Sequence, residues 1–370
     1  MKRSRKSKIF LKLSHQKPDW FFIILVLSLT VFGLIMVGDI SVVEAYRDFG
    51  DKLYYFKLQL QWVGLGFLGF IFTSLFNYRR LRLLAIPLLI FALICLILVL
   101  IPGLGAEALG AQRWLGFGSF RFQPAELAKL AFVLYLAAFM SQRKNILPFL
   151  VLLIVLIGLV VLEPDLGTAV IIATTSLIVY FVSGASIIWL SGIVVISFFI
   201  GLGLIFAFPY RRERVLTFLN PTRDPLGASY HIRQILLALG SGGFLGLGLG
   251  QSRQKYEYLP AAATDSIFAI IAEELGFVGA FLLIAAFLLL IWRGFRIARE
   301  APDKFGALLA TGIISWIGFQ TLINLSAIVA LVPLTGVPLP FISYGGSSLV
   351  LILTASGILV NISKQRRVEK

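Results

Sequence analysis

Long apolar stretches, each closed by a short polar or basic break, follow one another along nearly the whole chain. Runs of about 18 or more such residues mark helices that cross a bilayer. Ten are read here, at roughly 20–40, 56–76, 83–102, 123–141, 146–162, 166–183, 187–208, 267–292, 305–330 and 345–363. Several contain Gly or Pro, which spanning helices tolerate because neighbouring groups re-satisfy the backbone. The fifth is short, as a tilted or sheltered helix is. The pattern breaks once, between the seventh and eighth runs, where residues 209–266 form a long mixed segment. The predicted fold is an all-α polytopic membrane protein of ten transmembrane helices.

Composition removes the soluble alternative. With 370 residues, 59% hydrophobic, 14% charged and a mean hydropathy of +0.93, the chain carries more apolar surface than a soluble domain of this size can bury. The basic stretch MKRSRKSK before the first run suggests a signal peptide, but a core of about 20 residues without a small-residue cleavage site is expected to stay as the first span. Cys95, the only cysteine, lies within the third run, so no intrachain disulfide is expected. His15 and His231 are too far apart in sequence to read as a metal cluster.

Basic residues set the orientation. The N-terminal tail, the loop with Arg79, Arg80 and Arg82, Arg143 with Lys144, the 293–304 loop and the C-terminal tail put 20 Lys and Arg on one side. Leaving 209–266 aside, the other side holds 5: Arg47, Lys52, Lys57, Arg113 and Arg121. The expected topology is N-in and C-in, one membrane domain over 1–370 with cytoplasmic tails 1–19 and 364–370. A large extracytoplasmic loop, 209–266, then joins helices 7 and 8. That loop holds seven Lys and Arg against four acids, which fits either tolerance of charge in long loops or a site for an anion at the outer leaflet. The net +15 otherwise reflects the inside bias and attraction to anionic lipid. Nothing points to nucleic acid.

Ionisable residues inside spans are functional candidates. Glu126 and Lys129 in FQPAELAKL lie three apart and share a helix face, where they can bind a ligand or simply pair with each other. Glu273 follows Asp265 by eight residues, placing it on roughly the same side, with no basic neighbour in sequence. In LEPDLGT, Asp165 reads as a helix cap at least as readily as a ligand contact. The glycines of GSGGFLGLGLG (240–250) lack the strand and Lys-Ser pair of a nucleotide loop and read instead as close packing of an interfacial segment. VPLTGVPLPFISYGGSS (332–348) is irregular yet apolar, which favours a segment tucked into the protein over a plain loop. Asp265, before a long apolar helix, is either a helix cap or a general base.

Several long motifs decide between such pairs. SVVEAYRDFGDKLYYFKLQLQW, GAQRWLGFGSFRFQPAELAKLA, LEPDLGTA, PYRRERVLTFLNPTRDPLGASYHIRQ, GLGQSRQKYEYLP, TDSIFAIIAEELG and PLTGVPLPFISYGGSS occur in this order. Together they resemble the SEDS family (shape, elongation, division and sporulation), and most closely its division branch. The resemblance covers nearly the whole chain. It implies ten transmembrane helices with a large loop between the seventh and eighth, and polymerisation of lipid II into glycan strands. It implies Asp265 as the catalytic residue and Arg113 and Lys129 as functional cations. Further candidate substrate contacts in these motifs are Gln123, Glu126, Arg253, Lys255 and Ser343. The implied partners are a class B penicillin-binding protein, which cross-links the product, and other membrane proteins of division or elongation. One departure stands out: the family pattern reads YLPEAHTDFIFA, so Ala261 and Ala263 replace Glu and His, and Ser266 replaces Phe.

The implied chemistry is direct displacement with inversion. Asp265 takes the acceptor hydroxyl's proton, and cations hold the polyprenyl diphosphate as it leaves. A divalent cation, Mg or Mn, can bridge Asp265 and the diphosphate, although no dense ligand cluster demands one. Two rivals use the same features: a lipid II flippase and a non-catalytic scaffold for the penicillin-binding protein. A transporter would favour midplane charges and repeated halves, whereas these charges lie near the outer edge and no internal repeat is found.

Overall fold

The computed structural model describes residues 17–108, 111–117, 120–142, 146–207, 209–220, 229–256 and 258–365. The basic N-terminal residues up to 16, Arg143 and Lys144, Arg223 and Asp224, Glu257 and the tail from 366 lie outside the described residues.

Every predicted apolar run is a helix. They are α1 (Trp20–Ile40), α3 (Tyr54–Leu75), α4 (Tyr78–Leu100), α5 (Pro124–Gln142), α6 (Ile146–Leu162), α7 (Leu166–Val182), α8 (Ile187–Ala207), α11 (Ile267–Glu300), α12 (Lys304–Ile328) and α13 (Gly346–Ser363). Among the described residues, seven of these are long and apolar enough to cross a membrane, while α6, α7 and the Ile187–Gly203 part of α8 are shorter apolar stretches. Three amphipathic or polar helices are added: α2 (Val42–Phe49), α9 (Pro209–Leu219) and α10 (Tyr230–Ser241).

The all-α expectation needs a correction between α4 and α5. There β1 (Gly105–Ala108), β2 (Ala111–Phe117) and β3 (Phe120–Phe122) form an antiparallel sheet in the order β1-β2-β3, with Leu115 opposite both Gly105 and Phe122. Strand pairing lets this connection satisfy its backbone internally. Strands of 4, 7 and 3 residues are too short to show an apolar period, which is why the chain reads as a loop there.

α5, α12 and α13 are the most enclosed helices, whereas α1, α3, α4 and α11 turn most of their length outward. The outward faces are apolar, with Leu75, Leu83 and Ile188 among the most exposed residues, as expected where lipid is the solvent. Small residues replace hydrophobic force between helices. A Cβ on Gly66 or Gly69 would strike Leu353 or Thr354 of α13, and one on Gly357 would lie 2.3 Å from Phe70 O. Thr73 Oγ1 then reaches Thr354 O at 2.8 Å and Asn361 Nδ2 reaches Ser74 O at 2.8 Å.

α11 is two helices in one. At Gly276 the backbone has φ 65° and ψ −166°, a conformation open only to glycine, roughly 14 Å along from Ile267 at 1.5 Å per residue. In an unbroken helix, the Phe277 and Val278 N–H groups would bond Glu273 O and Glu274 O. Here they donate to Gly243 O and Phe244 O at 2.9 and 3.2 Å, while Leu247 N and Gly248 N donate to Glu273 O and Glu274 O at 3.0 Å each. The glycine-rich segment after α10 is thus inserted into the break. A Cβ at Gly242 or Gly246 would sit 2.1 Å from Ala272 O or Glu274 O, so close packing is the use of these glycines. The side chains join in: Glu273 accepts from Arg253 N at 3.2 Å and from the Ser252 hydroxyl, and Glu274 accepts from Ser252 N at 3.1 Å. Glu273 is therefore bonded to main chain of the preceding segment and has no need of a basic neighbour.

This arrangement separates two glycines that both have positive φ. Gly243→Ala (φ +55°, no atom within 4 Å) should lose about 1–2 kcal/mol, the left-handed penalty alone. Gly246→Ala (φ +83°, against Glu274 O) should lose roughly 3–5 kcal/mol, because overpacking against main chain adds to that penalty. Unfolding of both variants in detergent checks this; equal losses would mean the inserted segment is not closely packed.

Candidate functional site

Residues 260–266 form a turn that ends at α11, and its main chain is held from several directions. Thr264 N and Ser266 N both donate to Ala261 O, at 3.1 and 3.2 Å, and Ala261 has φ 52°. Tyr344 N donates to Ala263 O at 2.8 Å, the Ser343 hydroxyl to Thr264 O, and Asn324 Nδ2 to Asp265 O at 2.8 Å. Three successive carbonyls are therefore clamped by α12 and the segment before α13. The Asp265 carboxylate is treated differently. It is half-buried, accepts from Thr264 Oγ1 at 3.1 Å, and makes no cap hydrogen bond to α11, whose N-cap is Ser266. A carboxylate on rigid main chain, part exposed and not spent on a helix end, is suited to take a proton.

The clamp comes from residues 332–345, which are irregular and enclosed: Val337, Leu339, Phe341 and Ile342 are buried. Their backbone is satisfied by side chains, as irregular chain in apolar surroundings requires. Gln320 Nε2 donates to Pro338 O at 3.0 Å, Asn324 Nδ2 to Val337 O at 2.8 Å, and Leu339 N to Ser343 Oγ at 2.8 Å. Gly336 lies beside Asp265, a Cβ there falling 3.9 Å from Oδ2, and Gly167 of α7 packs against Val337 and Thr335. One segment thus touches Asp265, α7 and the α12 polar row.

Lys129 and Glu126 meet as their spacing predicts, at 2.7 Å and with both side chains 2% exposed. Lys129 Nζ also donates to Gln320 Oε1 at 2.8 Å and lies 5.1 Å from the centre of the Trp316 ring, whose N–H donates to the same oxygen at 2.8 Å. The cavity beside Lys129, lined also by Thr175, Ser176 and Trp316, is about 10 Å³, room for about one water. In this conformation the lysine is enclosed, and its charge is shared with Glu126.

On β2, half-buried Arg113 donates from Nε to Glu163 O at 2.9 Å and from Nη2 to Pro164 O at 2.6 Å. Gln123 Nε2 donates to Asp165 Oδ2 at 3.3 Å, and Asp165 caps α7 through Thr168 N at 3.0 Å and Thr168 Oγ1 at 2.8 Å. The cap reading of Asp165 holds. Glu163 is fully buried, and neither carboxyl oxygen has a hydrogen-bond partner among the described residues. Burial pushes its pKa up to about 9, helped by Asp165 and opposed by Arg113, so the group is protonated at neutral pH.

The two loop cations part company. Arg253 is exposed, with its main-chain N–H on Glu273. Lys255 is buried between Asp39 of α1, at 3.0 Å, and Glu274, at 3.2 Å, where it ties α1 to the inserted segment. Gln320 and Asn324 are not among the residues the sequence singles out, and His231 enters there only as one of two histidines too far apart for a metal. The first two stand four apart in the apolar run of α12, a polar pair that signals an interior role in a membrane helix. His231 offered no local signal; its partners are Ser266 Oγ, 2.8 Å from Nε2, and the Asp265 charge.

The family model for FtsW, RodA and SpoVE, described as cell cycle protein, matches residues 19–368. Stage V sporulation protein E of Bacillus subtilis (strain 168) is 43% identical over 361 residues, covering 95% of this chain and 98% of that one. The probable peptidoglycan glycosyltransferase FtsW of Trichlorobacter lovleyi is 41% identical, covering 93% of each. A chain from a peptidoglycan synthase complex, studied for its coordination of polymerization and crosslinking, superposes with TM-score 0.79 at 32% identity, covering 95% of this chain and 99% of that one.

Glu163 generates a pH test. A carboxyl whose pKa is raised on folding contributes stability fully below its unfolded value of 4.5 and loses it as pH rises to about 9. The melting temperature in detergent should fall across that window, and Glu163→Gln, which keeps the neutral form, should flatten the fall. An unchanged slope in the variant would show that Glu163 is not the buried neutral acid.

Proposed function

The chain belongs to the FtsW, RodA and SpoVE family of cell-cycle proteins, and we propose that it is a peptidoglycan glycosyltransferase polymerising lipid II in cell division. One observation carries the reading: three successive carbonyls around Asp265 are clamped while its carboxylate stays half exposed and uncommitted to the helix. Asp265 accepts the proton of the acceptor sugar's hydroxyl. The oxygen attacks the anomeric carbon of the donor from the face opposite the diphosphate, that bond breaks, and the configuration inverts. The leaving group departs as the polyprenyl diphosphate, and little protonation is needed where cations stand by.

The cations divide this work. Arg113, aimed by two carbonyls, presents positive charge at the surface of the site. Lys129 acts from below: paired with Glu126, it fixes Gln320, which holds Pro338 in the segment beside Asp265. Among the described residues no three His, Cys, Asp or Glu gather as a metal site. Magnesium, however, commonly takes one or two carboxylates, substrate phosphates and water, and the half-exposed Asp265 suits that mode. There the ion would neutralise diphosphate charge.

The reaction takes place at the outer face of the cytoplasmic membrane, with ten spans and both termini inside, as the 20-to-5 division of basic residues supports. A class B penicillin-binding protein cross-links the strands, a pairing supported by the likeness to a peptidoglycan synthase complex. Cysteines placed at the exposed polar positions Arg212, Glu213 and Asn220 of the 209–266 loop should react with membrane-impermeant reagents from outside, and cysteines in the C-terminal tail should not. The reverse pattern would overturn the orientation.

Asp265→Asn tests the chemistry, since the amide keeps size and shape but cannot take the proton. Glycan formation from purified lipid II should fall by about 10²–10⁴-fold with folding and partner binding unchanged. A flippase or scaffold predicts that synthesis is absent from the parent or untouched by the change, and full activity in the variant would remove Asp265 from catalysis.

A further inference from the structure

A further polar contact reaches the Asp265 turn from α10. His231, the second residue of that helix, sets Nε2 2.8 Å from Ser266 Oγ. The Pro260 carbonyl also faces the ring and favours a proton on it. Pro260 and Ser266 are the two ends of the turn that carries Asp265, so a single imidazole spans it. With the ring N–H turned toward the Pro260 carbonyl, Nε2 accepts from the Ser266 hydroxyl. Ser266 is fully buried, and a buried hydroxyl stripped of its partner is destabilising. Inside the turn, Ala261 holds φ +52°, a region that favours glycine; such backbone persists where its surroundings over-determine it.

The imidazole is itself firmly placed. Ile232, Ile235 and Ala238 bury one face of α10, and the segment that follows is locked into the break in α11. Burial lowers the His231 pKa from its ordinary value; of the charges facing the ring, Asp265 opposes this and Arg214 adds to it. A neutral ring is what an accepting Nε2 requires.

We infer that His231 is a positioning residue for glycosyl transfer: through Ser266 and Pro260 it holds the turn that aims the Asp265 carboxylate at the acceptor hydroxyl. It does not touch the reacting atoms. The inference rests on Asp265 being the base, and the test separates the two.

Lipid II polymerisation by the full chain with its transpeptidase partner is compared for the parent and for His231→Ala, His231→Gln, Ser266→Ala, the His231→Ala/Ser266→Ala double variant and Asp265→Asn. His231→Ala should lower kcat by about 10–100-fold, the scale of a misaimed catalytic group, with KM unchanged. His231→Gln, whose amide can both donate and accept, should recover most of the rate. The double variant should be no slower than the slower single, because both changes remove one contact. Parental kcat in His231→Ala alongside an inactive Asp265→Asn overturns this inference alone, as does a change confined to KM or a fully additive double variant. An active Asp265→Asn overturns the base assignment instead. Should His231→Ala fail to fold, Ser266→Ala decides, since it removes one oxygen: parental kcat there overturns the inference.

Discussion

Main-chain polar groups in apolar surroundings must find partners inside the protein, and two parts of this molecule exist to meet that demand. At Gly276 two helical hydrogen bonds are opened and four bonds to the glycine-rich segment replace them. Before α13, irregular chain is bonded by Gln320, Asn324 and Ser343 instead of by a helix or sheet. Both devices place non-helical backbone beside the same short turn. Without the first, α10 would lose its anchor in α11; without the second, the carbonyls of residues 263 and 264 would lose Tyr344 N and Ser343 Oγ.

The result is a division of labour between backbone and side chain. Rigid elements hold the peptide groups around Asp265, so its carboxylate is aimed without being consumed. The charged side chains nearby are mostly spent on architecture. Lys129 with Glu126 secures α12 and, through Gln320, the enclosed segment; Lys255 with Asp39 and Glu274 joins α1 to α11. Removing one partner from such a buried pair leaves an uncompensated charge, so loss of activity on mutating either lysine is not by itself a sign of substrate contact.

Much of this was legible in the sequence, for identifiable reasons. The apolar runs gave helices within about five residues of their observed ends because length and composition suffice for a membrane helix, except that α11 continues through Arg293, Arg296 and Arg299 to Glu300, where the 293–304 loop was expected. Lys129 with Glu126 was legible from a spacing of three, and the close packing of 240–250 from its glycines. The sheet around Arg113 was not, because short strands carry no period. Nor was the break in α11, since a lone glycine in an apolar run looks like many tolerated ones until the segment that fills the gap is known. Gln320, Asn324 and His231 act on Asp265 across 55, 59 and 34 positions of sequence, and only the folded chain brings them together.

The interlock between 242–248 and 273–278 also limits how this protein can be recombined. Each stretch supplies hydrogen bonds that the other lacks, and each carries glycines fitted to the other's carbonyls. A chimera with a relative that crosses over between them would join two halves shaped for different partners, however similar the flanking helices. The smallest transferable block is the whole of 242–278, with Asp265 inside it, so the turn and the interlock that steadies it are inherited as one module.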